Sequence, residues 1–150
     1  MKYDAYGEFT ITRDFRTFEF VSEGKYGFIR KQIAFIPTEI PQVYNLAFGD
    51  VQENDEVDDN SISDNGDRDK ILATLVRVIE RYTERYPERW IYFRGNTKGR
   101  TRLYRMAVGL NLEELSKKFE IYAEINDTTE FRPFCKNMPI SAFLIKRKND

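Results

Sequence analysis

Between Phe15 and Phe48 apolar side chains return at every second residue, an alternation that confines the first third of the chain to strands with one buried face. Phe18 and Phe20 share a face within Phe15–Val21. Ile29, Ile33 and Phe35 do so within Tyr26–Ile36, and Tyr44, Leu46 and Phe48 within Gln42–Phe48. The connectors "SEGKYG" and "PTEIP" are short, which favours hairpins and predicts an antiparallel meander. A further strand is expected near Glu8–Thr12, through Phe9 and Ile11.

The period then changes. Ile71, Leu72, Leu75, Val78, Ile79, Tyr82 and Tyr86 fall at helical spacing, with Asp67 as the expected N-cap and Pro87 as the stop, so a helix is predicted over Asp67–Tyr86. "RWIYFRG" (Arg89–Gly95) is apolar on both faces, which predicts an inner strand covered by helices. A second helix is expected after it, capped by Asn96 or Thr97, striped by Leu103, Met106, Ala107 and Leu110, and ended by Gly109. Asn111 and Glu114 have capping-box spacing for a short third helix bearing Leu112, Leu115 and Phe119. Strands near Ile121–Ile125 and Ala142–Lys146 close the sheet. The fold class is therefore α+β: an N-terminal antiparallel meander, a long helix, a short inner strand, two short helices and closing strands, in one domain over residues 1–150.

The residue types present restrict the chemistry. The 150-residue chain has no histidine, which removes the commonest general base, the usual Ser-His and Cys-His pairs and the commonest transition-metal ligand. Its one cysteine, Cys135, makes no intrachain disulfide, and a structural role is expected of it because no histidine or helix start lies beside it to lower its pKa. No apolar run approaches the roughly 20 residues that a membrane span needs, and "MKYDAYGEFTITRD" lacks the features of a secretory or transit leader. A cytoplasmic protein without a cofactor and without membrane association is expected.

Charge is unevenly placed. Residues 1–69 hold seven Lys and Arg against fifteen Asp and Glu, and residues 70–150 hold seventeen against ten. The acids concentrate in Gly49–Asp69, nine of them with one arginine, which predicts a solvated loop. A brief strand at Ser61–Ser63 is an option within it. Asp58, Asp59 and Asp64 are a conceivable cation site without an EF-hand register. The cations concentrate in "GNTKGRTRLYR". On a helix Lys98, Arg102 and Arg105 form one cationic edge beside the apolar stripe, and Gly95 and Gly99 let a ligand approach backbone N–H groups at a helix start. Cations there oppose the helix dipole unless an anion faces them. Gly95, Thr97, Lys98, Gly99, Arg100, Arg102, Tyr104 and Arg105 are accordingly the candidate phosphate or nucleic-acid site, although the segment matches neither G-x-x-x-x-G-K-[ST] nor G-x-G-x-x-G. Trp90 and Tyr104 flank it as candidates for stacking on bases. Arg77, Arg81 and Arg85 alternate with Glu80, Glu84 and Glu88 at ion-pair spacing, which reads as a solvated face.

"YNLAFGD" (Tyr44–Asp50), the aspartate-rich stretch ending in "DNGD", "KILATLVRVIERYTERYP", "GNTKGRTRLYRM" and the terminal "FLIKRK" resemble a family of small bacterial proteins, mainly from Bacteroidota, catalogued as a domain of unknown function. The resemblance runs from about Phe18 onward. Its most specific elements map to Asn45–Asp50 and to Gly95, Thr97, Arg100, Arg102, Leu103 and Tyr104, and it implies a cytoplasmic bacterial setting but no activity.

Three functions are thus in play. The first is a non-enzymatic module that binds nucleic acid or another phosphate-bearing ligand through residues 95–105. A meander followed by a long helix also occurs in single-strand binders of the Whirly and Pur type, by analogy of fold alone. The second is a regulatory partner that docks a protein through the acidic 50–69 loop, which also is placed to compete with an anionic ligand. The third is a histidine-free ribonuclease using Arg100, Arg102, Tyr104 and Arg105.

Overall fold

The computed structural model describes residues 4–58, 65–95, 97–125, 128–135 and 137–149. In chain order the elements are β1 (Thr10–Ile11), β2 (Thr17–Gly24), β3 (Gly27–Pro37), β4 (Val43–Val51), β5 (Val57–Asp58), α1 (Arg68–Arg85), β6 (Trp90–Arg94), α2 (Lys98–Leu110), α3 (Leu112–Lys118), β7 (Phe119–Ile125), β8 (Phe131–Pro133) and β9 (Ile140–Arg147). Among the described residues the nine strands form one open sheet of order β1-β2-β3-β4-β6-β9-β7-β8, with β5 paired to β4. The N-terminal half is the expected antiparallel meander. Its tightest turn, Lys25–Tyr26, is closed by the Gly24 and Gly27 pair, and Gly27 takes φ +84°, a conformation open to glycine. The 4–6 pairing is parallel, with α1 as the crossover.

All three helices lie on one face. There Phe18, Phe20, Ile33, Phe35, Leu46 and Phe48 from the meander meet Leu72, Leu75, Val78 and Tyr82 of α1, and Ile91, Phe93, Phe143 and Ile145 meet α2 and α3. The Phe35 and Tyr82 rings stack 3.8 Å apart at its centre. Both sequence periods thus point at the same layer, and burying one face of each element gives the core. No helix among the described residues is long and apolar enough to cross a membrane.

Several local expectations are corrected. β6 is an inner strand but is covered on one face only, so Trp90 and Tyr92 lie on the side without helices. The second helix runs through Gly109 to Leu110. Asn111 forms no capping box: its amide donates to the Ala107 carbonyl at 2.9 Å, finishing α2 rather than starting α3. Asp67 stands at the N-cap position of α1 without capping it; its carboxylate instead accepts from Tyr6 Oη at 2.5 Å and Ser22 Oγ at 2.6 Å. Burial, followed by the Asp67 hydrogen bond, pushes the Tyr6 hydroxyl pKa up. Glu80 and Glu84 pair with Lys118 and Arg147 from other elements rather than along the helix. The proposed Ser61–Ser63 strand, Asn96, Asp59 and Asp64 lie outside the described residues.

Two polar devices are built into the core. Lys31 follows the period-two register of Ile29, Ile33 and Phe35 onto the helix-covered face, and Asp50 follows Leu46 and Phe48 onto the same face. The register sets them directly opposite, and Lys31 Nζ meets Asp50 Oδ1 at 2.5 Å with the side chains only 2% and 11% exposed. Asn65, which "DNGD" presents as a surface turn, is instead 1% exposed. Its Oδ1 accepts from the Tyr26 amide at 2.7 Å, and its Nδ2 donates to Ser22 Oγ at 3.2 Å and to the Gly27 carbonyl at 3.0 Å. The start of α1 is thereby clamped to the tip of the β2–β3 hairpin.

Candidate functional site

Strand β6 ends at Arg94 and the chain enters α2 within three residues. That sharp entry explains Gly95: a Cβ there would stand 2.2 Å from the Thr101 amide nitrogen and 2.6 Å from Thr101 Oγ1. Thr97 caps the helix, its Oγ1 accepting from the Arg100 amide at 3.1 Å. Gly99 is different, because a Cβ there would meet only Thr97 Oγ1 at 3.9 Å. Packing thus explains one glycine and leaves the other, which weakens a helix by about 1 kcal/mol relative to alanine, without a structural reason. Gly95→Ala is expected to lower stability by about 1–3 kcal/mol through overpacking, and Gly99→Ala to leave it unchanged or raise it slightly. Urea denaturation of the two variants checks this, and equal effects would contradict the assignment.

From this corner the side chains diverge. Arg94, Thr97, Lys98, Thr101, Arg102 and Arg105 line one cleft of about 490 Å³, whose other wall is Ile140 and Ser141 at the start of β9. The cationic edge read from the helical spacing is therefore gathered in one place and gains Arg94, which that reading did not include. Arg94 is held in position by Glu124: Nη1 approaches Oε1 at 3.3 Å, and the same carboxylate, 6% exposed, accepts from Ser141 Oγ at 3.3 Å and Tyr92 Oη at 3.5 Å. The first turn of α2 holds no acidic residue, so the helix dipole and the cations act in the same sense on anything entering the cleft.

Arg100 and Tyr104 are placed elsewhere. Arg100 is 2% exposed, with its guanidinium carbon 5.0 Å from the Phe48 ring centre, and Tyr104 is buried edge-on against Phe93 at 5.4 Å. Both are core residues of α2 and not part of the cleft surface. The signal was in the spacing, since Arg100, Leu103, Tyr104 and Ala107 stand at i, i+3, i+4 and i+7, the helix's buried face.

The face of the sheet without helices carries an aromatic row. Trp90 lies 6.0 Å from Tyr122, and Tyr92 lies 6.3 Å from Phe131. Trp90 is at the far end of β6 from Arg94, so it does not flank the cationic cleft. Charges on this face compensate one another: Arg30 pairs with Glu19 and Asp55, Arg94 with Glu124, and Lys146 stands opposite Glu120. Such a surface offers no net attraction to a polyanion.

Cys135 is exposed rather than built into the core. No group of three or more Cys, Asp or Glu close enough to hold a metal exists among the described residues. Within the acidic segment Asp50 and Asp67 are turned to internal partners and Asp55 to Arg30, which leaves a smaller acidic surface than the sequence suggests.

The fold and cleft define a class: an α+β protein with one open sheet, helices on one side, and a cationic notch where an inner strand turns into a capped helix. Over residues 2–148 the chain matches, and belongs to, a family of unknown function (DUF6934). No curated protein and no solved structure matches it.

Proposed function

We propose that this protein is a binding module for a phosphate-bearing ligand, with the phosphate seated in the cleft of Arg94, Lys98, Arg102 and Arg105. The observation that carries the reading is the convergence of these four cations, from two elements, on the capped N-terminus of a 13-residue helix with no acid in its first turn. Backbone N–H groups, the dipole and the side-chain charges all favour an anion there, and the Thr97 hydroxyl, which accepts at its cap, supplies a further donor. Arginine forks match phosphate geometry in pairs. The buried placement of Arg100 and Tyr104 takes away half of the residues that a histidine-free ribonuclease would use, which favours binding over catalysis.

Calorimetric titration with inorganic pyrophosphate and with a short single-stranded RNA, at about 50 and about 200 mM salt, tests the proposal. Binding is expected to fall at least about tenfold in the Arg102→Glu/Arg105→Glu variant, a loss of about 1.4 kcal/mol or more. An RNA spanning the cleft shows a salt slope that grows with the number of phosphates neutralised, whereas a single seated phosphate group shows a shallow one. Absence of binding by the wild-type protein to either probe, or binding indifferent to the double reversal, overturns the proposal.

A further inference from the structure

Across Arg102 from the cationic cleft lies a second cavity of about 300 Å³, between strands β3 and β4 and the first turns of α1 and α2. Its α2 wall is Gly99, Arg102, Leu103 and Met106, one helix face at i, i+3, i+4 and i+7, about 10 Å long at 1.5 Å per residue. Arg102 lines both spaces. Gly99, the residue whose missing side chain no packing contact explains, lines the second cavity one turn from Arg102. Arg102 is therefore the point at which a ligand joining the two spaces would cross.

The walls of this cavity are of two kinds. Phe48, Ile71, Leu103 and Met106 are apolar; Lys31 and Asn65, 2% and 1% exposed, set polar groups among them. Asp67 and Arg68 add charge at the α1 side. Lys31 and Asn65 are already bonded to Asp50 and to the hairpin, so the polar groups open to a ligand are those of Asp67 and Arg68, which an alkyl chain would leave unmatched. A flat heterocycle places its faces against the apolar walls and its polar edge toward Asp67 and Arg68. The volume is at the lower end of the range for small-molecule pockets, about 300–1,000 Å³.

We infer that the two spaces form one mononucleotide site, with the base in the Phe48–Met106 cavity, the phosphate in the Arg94–Arg105 cleft and the sugar passing beside Arg102. This inference rests on the phosphate reading of the cleft and adds to it the class of ligand. Arg102 is the residue shared by both halves. Met106 belongs to the cavity alone and Arg105 to the cleft alone, so each half is separately addressable.

The test is a titration of the full chain with inorganic phosphate, ribose 5-phosphate, the four common nucleoside 5′-monophosphates and the corresponding nucleosides. At least one nucleotide is expected to bind about tenfold or more tightly than ribose 5-phosphate. Met106→Trp, which fills the cavity from its half-buried rim, is expected to remove that advantage and leave ribose 5-phosphate binding unchanged. Arg105→Ala is expected to weaken ribose 5-phosphate and nucleotide by the same factor. Met106→Phe serves as the smaller filling if thermal melting shows that tryptophan unfolds the domain. Equal affinities for ribose 5-phosphate and every nucleotide overturn the base cavity while leaving the phosphate reading intact. Nucleosides that bind as tightly as nucleotides overturn the joined site. Failure of all probes, inorganic phosphate included, overturns the phosphate reading and this inference with it.

Discussion

Lys31→Met is expected to destabilise the folded protein by about 3–5 kcal/mol, the largest loss anticipated for any single replacement in this chain. Lys31 and Asp50 meet at 2.5 Å under the helix layer, with the lysine side chain 2% exposed. Removing the ammonium leaves the Asp50 carboxylate without its counter-charge in a place where water cannot replace it. The pair itself contributes far less than this loss, because bringing both charges out of water already costs several kcal/mol. Lys31→Met/Asp50→Leu is therefore expected to recover most of the lost stability. Urea denaturation of wild type, both single variants and the double variant gives the comparison. A single-variant loss below about 1 kcal/mol, as for a surface pair, would contradict the buried arrangement.

This pair also shows how much of the molecule was legible in the sequence. Alternation alone puts Lys31 in phase with Ile29 and Ile33, and Asp50 in phase with Phe48, so both charges belong to the core face by the rule that placed the phenylalanines. Charge had been read as a mark of the surface, and Asp50 was grouped with the acidic run that follows it. Arg100 was misplaced in the same way: its cation counted toward the candidate site, although its helical phase is that of Leu103 and Ala107. The long periodic elements were readable because each buries one face. β5 and β8, at two and three residues, are too short to show any period. Trp90 and Tyr92 were readable as strand but not as half-buried on a helix-free face, because aromatic residues there carry the same symbols as aromatic residues in a core. Arg94 and Ser141 join the cleft through the pairing of β6 with β9, which links positions nearly fifty residues apart and leaves no local trace.

Asn65→Ala is expected to cost about 2–4 kcal/mol, because its amide closes three contacts at once. Two of its partners, the Tyr26 amide and the Gly27 carbonyl, belong to the hairpin tip, and the third, Ser22 Oγ, also donates to Asp67 at the start of α1. The backbone adds a fourth link, from the Lys25 amide to the Asn65 carbonyl at 3.1 Å. Space there is so tight that a Cβ on Gly24 would lie 1.8 Å from that carbonyl oxygen, so Gly24→Ala should disturb the same clamp from the other side. Asn65→Asp keeps the acceptor for the Tyr26 amide but loses both donations and turns a carboxylate toward the Gly27 carbonyl, so it is expected to be no more stable than the alanine variant. Thermal melting together with amide hydrogen exchange at residues 22–27 distinguishes a clamp from a simple turn. If the clamp holds the hairpin to α1, Asn65→Ala speeds exchange at the hairpin tip as well as lowering the melting temperature. If stability changes by less than about 0.5 kcal/mol and the hairpin stays protected, the positive φ of Gly66 alone organises the turn and the side chain of Asn65 is dispensable.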